Sequence, residues 1–92
     1  MSELQRFSNV WDALEDDPIK AENMKLRSAL MLAITKRIEE DGLTQTQAAE
    51  KLDITQPRVS ALIQGKIESF RLDTLVNLAH RLGLHVSINI AA

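Results

Sequence analysis

The sequence predicts an all-α domain, a compact bundle of about five helices that is followed by one β-strand at the C-terminus. Apolar residues recur at three and four positions along most of the chain, which is the spacing of a helix with one buried face. Capping residues and glycines divide this pattern into separate segments. In contrast, residues 84–90 alternate apolar and polar side chains with the period of a strand.

Length and composition place the chain among small globular domains. It has 92 residues, with 45% hydrophobic and 26% charged side chains, which is enough for one core and too short for two. Because cysteine is absent, disulfides and thiolate metal sites are excluded, and a reducing compartment is expected. No secretory signal pattern opens the sequence, and no apolar run approaches the roughly 18 residues of a membrane span. We therefore expect a cytoplasmic protein without a membrane partner.

Charge divides the chain into an acidic arm and a mildly basic body. Residues 1–24 carry two basic and six acidic side chains, a balance of −4, whereas the remainder carries nine basic and seven acidic ones, a balance of +2. We expect an acidic arm with a short helix at residues 1–22, a helical domain at 23–83 and a strand at 84–92. The arm is interpreted either as a surface for a basic partner or as a solvated tail.

The first two helices are predicted from caps and apolar spacing. Ser8 is placed to cap a short helix, and Asp17 with Pro18 begins a long helix that ends near Gly42. The apolar face of the short helix contains Val10, Trp11 and Leu14, with Phe7 just before the cap. The inner face of the long helix is predicted to contain Leu26, Leu30, Ala33, Ile34 and Ile38.

Two short helices follow, separated by a tight turn. Thr44 and Gln47 form the reciprocal capping-box pattern that opens the first. Thr55 with Pro57 begins the second, which ends at Gly65. A bihelical turn of this kind needs apolar residues wherever one helix presses on the other. The positions that meet this need are Ala48, Ala49, Leu52, Ile54, Val59 and Leu62.

A last helix is predicted from about Leu72 to Leu82, and the strand at residues 84–90 follows Gly83. A lone strand cannot satisfy its own backbone groups, and a domain of this size buries only about 60–65% of its unfolded surface. We therefore expect a homodimer in which two such strands pair across a two-fold axis. A folded-back tail and pairing with a different protein are the alternatives. The predicted dimer interface contains Leu84, Val86, Ile88 and Ile90.

Residues 43–83 resemble the helix-turn-helix of the lambda-repressor-like, or XRE/Cro, family. The motifs that carry the resemblance are Leu-Thr-Gln-Thr-Gln-Ala-Ala at 43–49, Ile-Thr-Gln-Pro-Arg-Val-Ser at 54–60 and Leu-Asp-Thr-Leu at 72–75. Within this family the chain looks closest to HigA-type antitoxin regulators. One departure is Asp53, which stands where the family has glycine in a left-handed turn. Aspartate tolerates that conformation better than most residues, so the turn is expected to form.

The resemblance implies that residues 23–83 bind double-stranded DNA at an inverted-repeat operator. Gln56 is expected to contact adenine, and Pro57 and Ala61 a thymine methyl group. Arg58 is assigned to a guanine or to a phosphate, and the sequence leaves both open. Phosphate contacts by three cations in each half of a dimer predict a salt slope of about −5. The implied DNA-binding residues are Gln45, Thr55, Gln56, Pro57, Arg58, Ser60, Ala61, Gln64, Lys66 and Arg71.

The resemblance implies that this repressor is the antitoxin of a HigBA-type toxin–antitoxin pair and regulates its own operon, and a phage-type or stand-alone repressor without a toxin is the alternative. The HigA-type resemblance implies a cognate toxin, a small basic ribonuclease, which we expect to dock on Trp11, Asp12, Glu15 and Asp16. Trp11 is equally well explained by packing on the long helix. A pure protein-docking module would keep the helix-turn-helix as a scaffold. An enzyme is disfavoured because the sequence has two histidines, no phosphate-binding loop and no spaced metal ligands, so no cofactor is expected.

Overall fold

The computed structural model describes residues 17–92, which form four α-helices and one 3₁₀ turn. The four helices predicted between residues 17 and 82 are confirmed, and the predicted fifth, which begins at Ser8, lies outside the described residues. None of the helices described could cross a membrane. The helices are α1 (Pro18–Glu40), α2 (Gln45–Leu52), α3 (Gln56–Ile63) and α4 (Leu72–Arg81), and the 3₁₀ turn is Ile67–Ser69.

Side-chain caps set the starts of the first three helices. Asp17 Oδ1 accepts a hydrogen bond of 3.0 Å from the Ile19 amide at the start of α1. At α2, Thr44 Oγ1 accepts from the Gln47 amide (3.1 Å) and Gln47 Oε1 accepts from the Thr44 amide (2.9 Å). This is the predicted capping box, and it satisfies two amides that no helical carbonyl could reach. α4 begins without a side-chain cap.

The turn between α2 and α3 depends on one residue in the left-handed conformation. Asp53 has φ 57° and ψ 45°, and it is the sole non-glycine residue with positive φ among residues 17–92. This confirms the conformation expected from the sequence. Such a conformation costs an L-residue about 1 kcal/mol. The turn nevertheless forms because Ile54, immediately after it, packs against the buried core.

The core lies where α1 packs across α4 and across the α2–α3 pair. Its largest fully buried side chains include Ile34, Leu52, Leu62, Leu75 and Phe70. The predicted inner face of α1 is partly wrong, because Leu26 and Ala33 are exposed and Leu30 is half-buried. α1 has apolar residues on two sides, and spacing alone does not tell which side meets the rest of the domain. The buried residues of α1 are Ala21, Met24, Ser28, Met31, Ile34 and Ile38.

The segment after Gly83 is not the predicted strand. Residues 84–92 have no regular secondary structure, and no strand exists anywhere in residues 17–92. Leu84 is half-buried against the core, whereas Val86, Ile88 and Ile90 are exposed. The physical reason is that a strand needs a hydrogen-bonded neighbour, and the other described segments are helices and short turns. An alternating pattern alone therefore does not make a strand within one chain.

Candidate nucleic-acid interface

The side of α3 that faces away from the core carries small and polar side chains. Val59 and Leu62 point into the core and are fully buried. On the opposite side, at spacings of three and four residues, lie Pro57, Ser60, Ala61 and Gln64, of which Pro57 and Gln64 are exposed and Ser60 and Ala61 are half-buried. Ala61 is at the edge of this side, because it also packs against the core. These four share one face because α-helical residues three and four apart lie above one another. The structure thus brings four of the ten sequence-predicted DNA-binding residues together on one face of α3.

Gln56, at the first position of α3, is exposed and held by a hydrogen bond from its side chain. Its Nε2 donates to Thr46 Oγ1 across a distance of 3.1 Å. A primary amide has two N–H donors and one carbonyl, so this bond leaves one N–H and Oε1 free. The side-chain amide is therefore oriented while it keeps one donor and one acceptor for a ligand.

Thr46 makes a contact that no motif in the sequence indicated. The family resemblance implies that Gln45 contacts a phosphate and also braces the side chain of Gln56, but the structure gives the hydrogen bond with Gln56 to the next residue along α2. One residue corresponds to about 100° around a helix axis, so adjacent side chains point in different directions. The angle at which α2 meets α3 decides which of them faces Gln56, and no motif in the sequence specifies that angle. Gln45 is exposed, as a phosphate contact requires.

A second hydrogen bond ties together two polar residues of the outward face. Gln64 Nε2 donates to Ser60 Oγ at 3.0 Å. Gln64 is the C-terminal cap of α3, so this bond joins the last turn of the helix to its middle. Thr55, at the other end, caps α3 by accepting a hydrogen bond of 3.3 Å from the Arg58 amide. The predicted role of Thr55 in DNA binding is thus combined with a structural one.

Arg58 is engaged within the protein, in a role that the sequence analysis did not foresee. Its Nη1 donates to the carbonyl oxygen of Ser69 at 2.8 Å, and its guanidinium carbon lies 4.3 Å from the ring centroid of Phe70. Phe70 itself is fully buried. A cation above an aromatic face, with one charge-assisted hydrogen bond, fixes the position of the side chain. Arg58 therefore holds the loop after α3 against the core, and only its remaining N–H groups are free for a phosphate.

Two further cations of the predicted site lie on that loop and at the start of α4. Lys66 is exposed. Arg71 has 86% of its side chain exposed, and its Nε lies 3.6 Å from Oδ1 of Asp73, whose side chain is 74% exposed. An ion pair this open to water contributes little, so it does not prevent Arg71 from contacting another anion. Both side chains have the freedom that a contact to a backbone phosphate requires.

Comparisons with known proteins give a consistent picture. A family model described as a helix-turn-helix domain matches residues 13–91. A solved structure, provisionally described as an XRE family transcriptional regulator, is 36% identical in sequence and superimposes with a TM-score of 0.74. The match covers 79% of this chain and 82% of that chain. No curated protein matches the sequence.

We predict that Arg58→Ala destabilises the fold by about 1–2 kcal/mol, because it removes both the Phe70 contact and the hydrogen bond to Ser69. Arg71→Ala is the matched control, since it removes the same charge from an exposed position and is expected to change stability by less than about 0.5 kcal/mol. Urea denaturation of both variants measures the difference. Equal stabilities would contradict the structural role of Arg58.

Proposed function

This chain belongs to the family of XRE-like helix-turn-helix proteins, and we propose that it is a repressor that binds an inverted-repeat operator as a homodimer. As a member of this family it is a DNA-binding transcriptional regulator. In our proposal α3 is the helix that enters the major groove. The observation that carries the proposal is the outward face of α3, where Gln56 is already oriented by Thr46. The activity is binding without catalysis, so it requires no cofactor.

The chemistry of this face favours a half-site that contains A·T pairs. The free Oε1 and the second N–H of Gln56 match adenine, which presents N6–H as a donor and N7 as an acceptor in the major groove. Pro57 and Ala61 offer apolar surface, which suits the methyl group of thymine. Ser60 and Gln64 are joined to each other, and their remaining donors and acceptors can reach a base edge or a phosphate.

Phosphate contacts are assigned to groups around α3. Lys66 and Arg71 are exposed cations, and Gln45 stands at the first turn of α2, where free amides favour an anion. Each neutralised phosphate contributes roughly −0.9 to the slope of log affinity against log salt. Two cations in each of two subunits give a slope of about −4, and participation of the remaining Arg58 donors moves it to about −5.

We predict that some substitutions change the discrimination between DNA sequences, and that others change the salt dependence of DNA binding. Gln56→Ala is expected to lose about 1–3 kcal/mol of discrimination per half-site with an unchanged salt slope. Thr46→Val keeps Gln56 but removes the hydrogen bond that orients its side chain, so it should lose a smaller part of the discrimination between sequences. Lys66→Gln should weaken binding to every sequence and reduce the slope by about 2.

The measurement is fluorescence anisotropy at two or more salt concentrations. The inverted repeat upstream of the protein's own gene is compared with a scrambled duplex of the same length. If Gln56→Ala binds both duplexes with the wild-type ratio, α3 is not the helix that recognises the bases.

Dimerisation is proposed to occur through residues 84–90. Val86, Ile88 and Ile90 are exposed, and the segment has no internal strand partner among the described residues. Antiparallel pairing with the same segment of a second copy would satisfy these backbone groups and bury the isoleucines. Leu84, also predicted at this interface, packs on its own core and is half-buried. A two-fold axis there would place two α3 helices on half-sites about 34 Å apart.

We predict that Ile88→Lys yields monomers with weakened operator binding, because it buries a charge at the proposed axis. Ile19→Lys is the matched control, since the two isoleucines are exposed to nearly the same degree, 84% for Ile88 and 82% for Ile19. Sedimentation or size-exclusion with light scattering reports the mass. A stable dimer in Ile88→Lys would exclude this interface, and a monomeric Ile19→Lys would place the interface on α1.

We further propose that the regulator is an antitoxin whose acidic arm binds a small basic ribonuclease. The support is the charge of residues 1–24, which carry two basic and six acidic side chains, together with the resemblance to HigA-type regulators. Opposite charges on two partners speed their association more than they raise affinity. Trp11, Asp12, Glu15 and Asp16, the predicted contact residues, lie outside the described residues. A repressor without a toxin is the alternative.

We predict that the chain neutralises the product of a neighbouring gene when the two are co-expressed. Asp12→Asn, Glu15→Gln and Asp16→Asn together remove three negative charges and should abolish this rescue of growth while operator affinity is retained. Substitution of Lys20 by Gln, which makes the same region more acidic, serves as the control. A neighbouring protein that is harmless or is not neutralised would support the stand-alone repressor.

A further inference from the structure

A groove lies between the outward side of α4 and the chain that follows this helix. At Gly83 φ is 77°, and the next amide, that of Leu84, donates to the carbonyl oxygen of Ala79 at 3.0 Å. The rings of His80 and His85 then meet edge to face, with centroids 6.3 Å apart. The groove has a volume of about 580 Å³, which is room for more than one side chain. Its lining includes Val76, Asn77, His80, Leu84, His85 and Val86.

We propose that this groove receives Ile88 and Ile90 of a second copy of the chain, so that α4 is part of the dimer interface. The inference rests on the proposed homodimer through residues 84–90, the tail, and it adds a helical surface that no sequence pattern indicated. Ile88 is 84% exposed and Ile90 is 88% exposed, so neither side chain fills the groove of its own copy. Val76 and Val86, which line the groove, are 38% and 42% exposed and offer apolar surface to an incoming side chain.

Pairing of two tails alone does not make a stable interface. A two-stranded ribbon is marginally stable in water unless further strands or a helix cover one of its faces. The other strands that could do this are absent from residues 17–92, where the regular elements are helices. α4 is the helix that lies beside the tail, because Val76 and Val86 line the same groove. A groove that holds the isoleucines of the other copy therefore supplies the cover that the ribbon needs.

The two-fold symmetry of a homodimer determines which residues of the two tails meet. In an extended tail the four apolar side chains lie on one face, and directly opposite residues of an antiparallel pair share a face. An axis at Ser87 places Ile88 of one copy opposite Val86 of the other. The same axis places Ile90 opposite Leu84, so all the apolar residues of both tails are paired. A shift by one residue would turn the apolar faces of the two tails to opposite sides.

This register brings the isoleucines of the second copy to the groove. Side chains directly opposite each other are about 4.5–5.5 Å apart, and both Leu84 and Val86 line the groove. Leu84, which packs on its own core, is hydrogen-bonded beside His80, so Ile90 of the second copy lies at that end. Ile88 of the second copy lies at the other end, where Val76 is the apolar residue of α4.

Engineered cysteines test this arrangement without background, because the chain has no cysteine of its own. Ser87→Cys lies on the proposed axis, so mild oxidation should join two copies through this single position. A tagged copy with Ile88→Cys, mixed with an untagged copy with Val76→Cys, should give a mixed disulfide of distinct mass. Leu32→Cys replaces Val76→Cys in the matched control, since Leu32 of α1 is 40% exposed and does not line the groove. We expect no mixed disulfide from this control pair.

The outcomes distinguish this inference from the proposed dimer. A disulfide in Ser87→Cys without one between Val76→Cys and Ile88→Cys would leave the pairing of tails intact and overturn the role of α4. Absence of both disulfides would overturn dimerisation through the tail as well. A mixed disulfide of equal yield with Leu32→Cys would show random collision and would also overturn the proposal.

The dimer dissociation constant gives a second measurement, which needs no oxidation. Val76→Lys should raise this constant by about tenfold or more, because it places a charge at an apolar contact. Leu32→Lys adds the same charge at a position of nearly equal exposure and should leave the constant unchanged. Analytical ultracentrifugation measures both constants, and circular dichroism shows that both variants are folded. Equal constants for the two variants would overturn the role of α4.

Discussion

The apolar packing of α2 against α3 fixes the position of the outward face of α3. Ala48, Ala49 and Leu52 of α2 and Val59 and Leu62 of α3 are all buried. An isolated helix of eight residues is unstable in water, so this burial, and not helix propensity, keeps α3 folded. Each fully buried valine or leucine contributes about 1.5–3 kcal/mol. The position of the outward face of α3 consequently depends on the apolar contact behind it.

Phe70 joins this two-helix unit to the rest of the domain. Its ring lies beneath the guanidinium of Arg58 from α3, and its carbonyl oxygen accepts a hydrogen bond of 3.4 Å from Nη1 of Arg27 on α1. Two arginines on different helices therefore meet at one buried residue of the loop that carries Lys66. Arg58 therefore fixes the position of this loop through Ser69 and Phe70.

The net charge of this protein does not describe the charge close to α3. The net charge is −2, which taken alone argues against a partner as anionic as DNA. Charges in water are largely screened beyond about 8 Å at physiological ionic strength, so the net charge of the whole chain says little about the charge close to α3. Lys66 and Arg71 are both exposed, as contacts to phosphate require. Residues 1–24 carry a balance of −4, whereas the remainder of the chain carries +2.

The sequence by itself determined the four described helices, their caps and the left-handed turn at Asp53, because each depends on residues within one or two helical turns. It also identified which residues of α3 face outward, since Val59 and Leu62 define the buried side. Only the tertiary structure decided that Thr46 braces Gln56, that Arg58 lies over Phe70 and that Met24, not Leu26, enters the core. These contacts depend on the angles at which helices cross, and those angles arise from the packing of the whole core. The alternating residues 84–90 show the same limit, because a strand exists only where a second strand lies beside it.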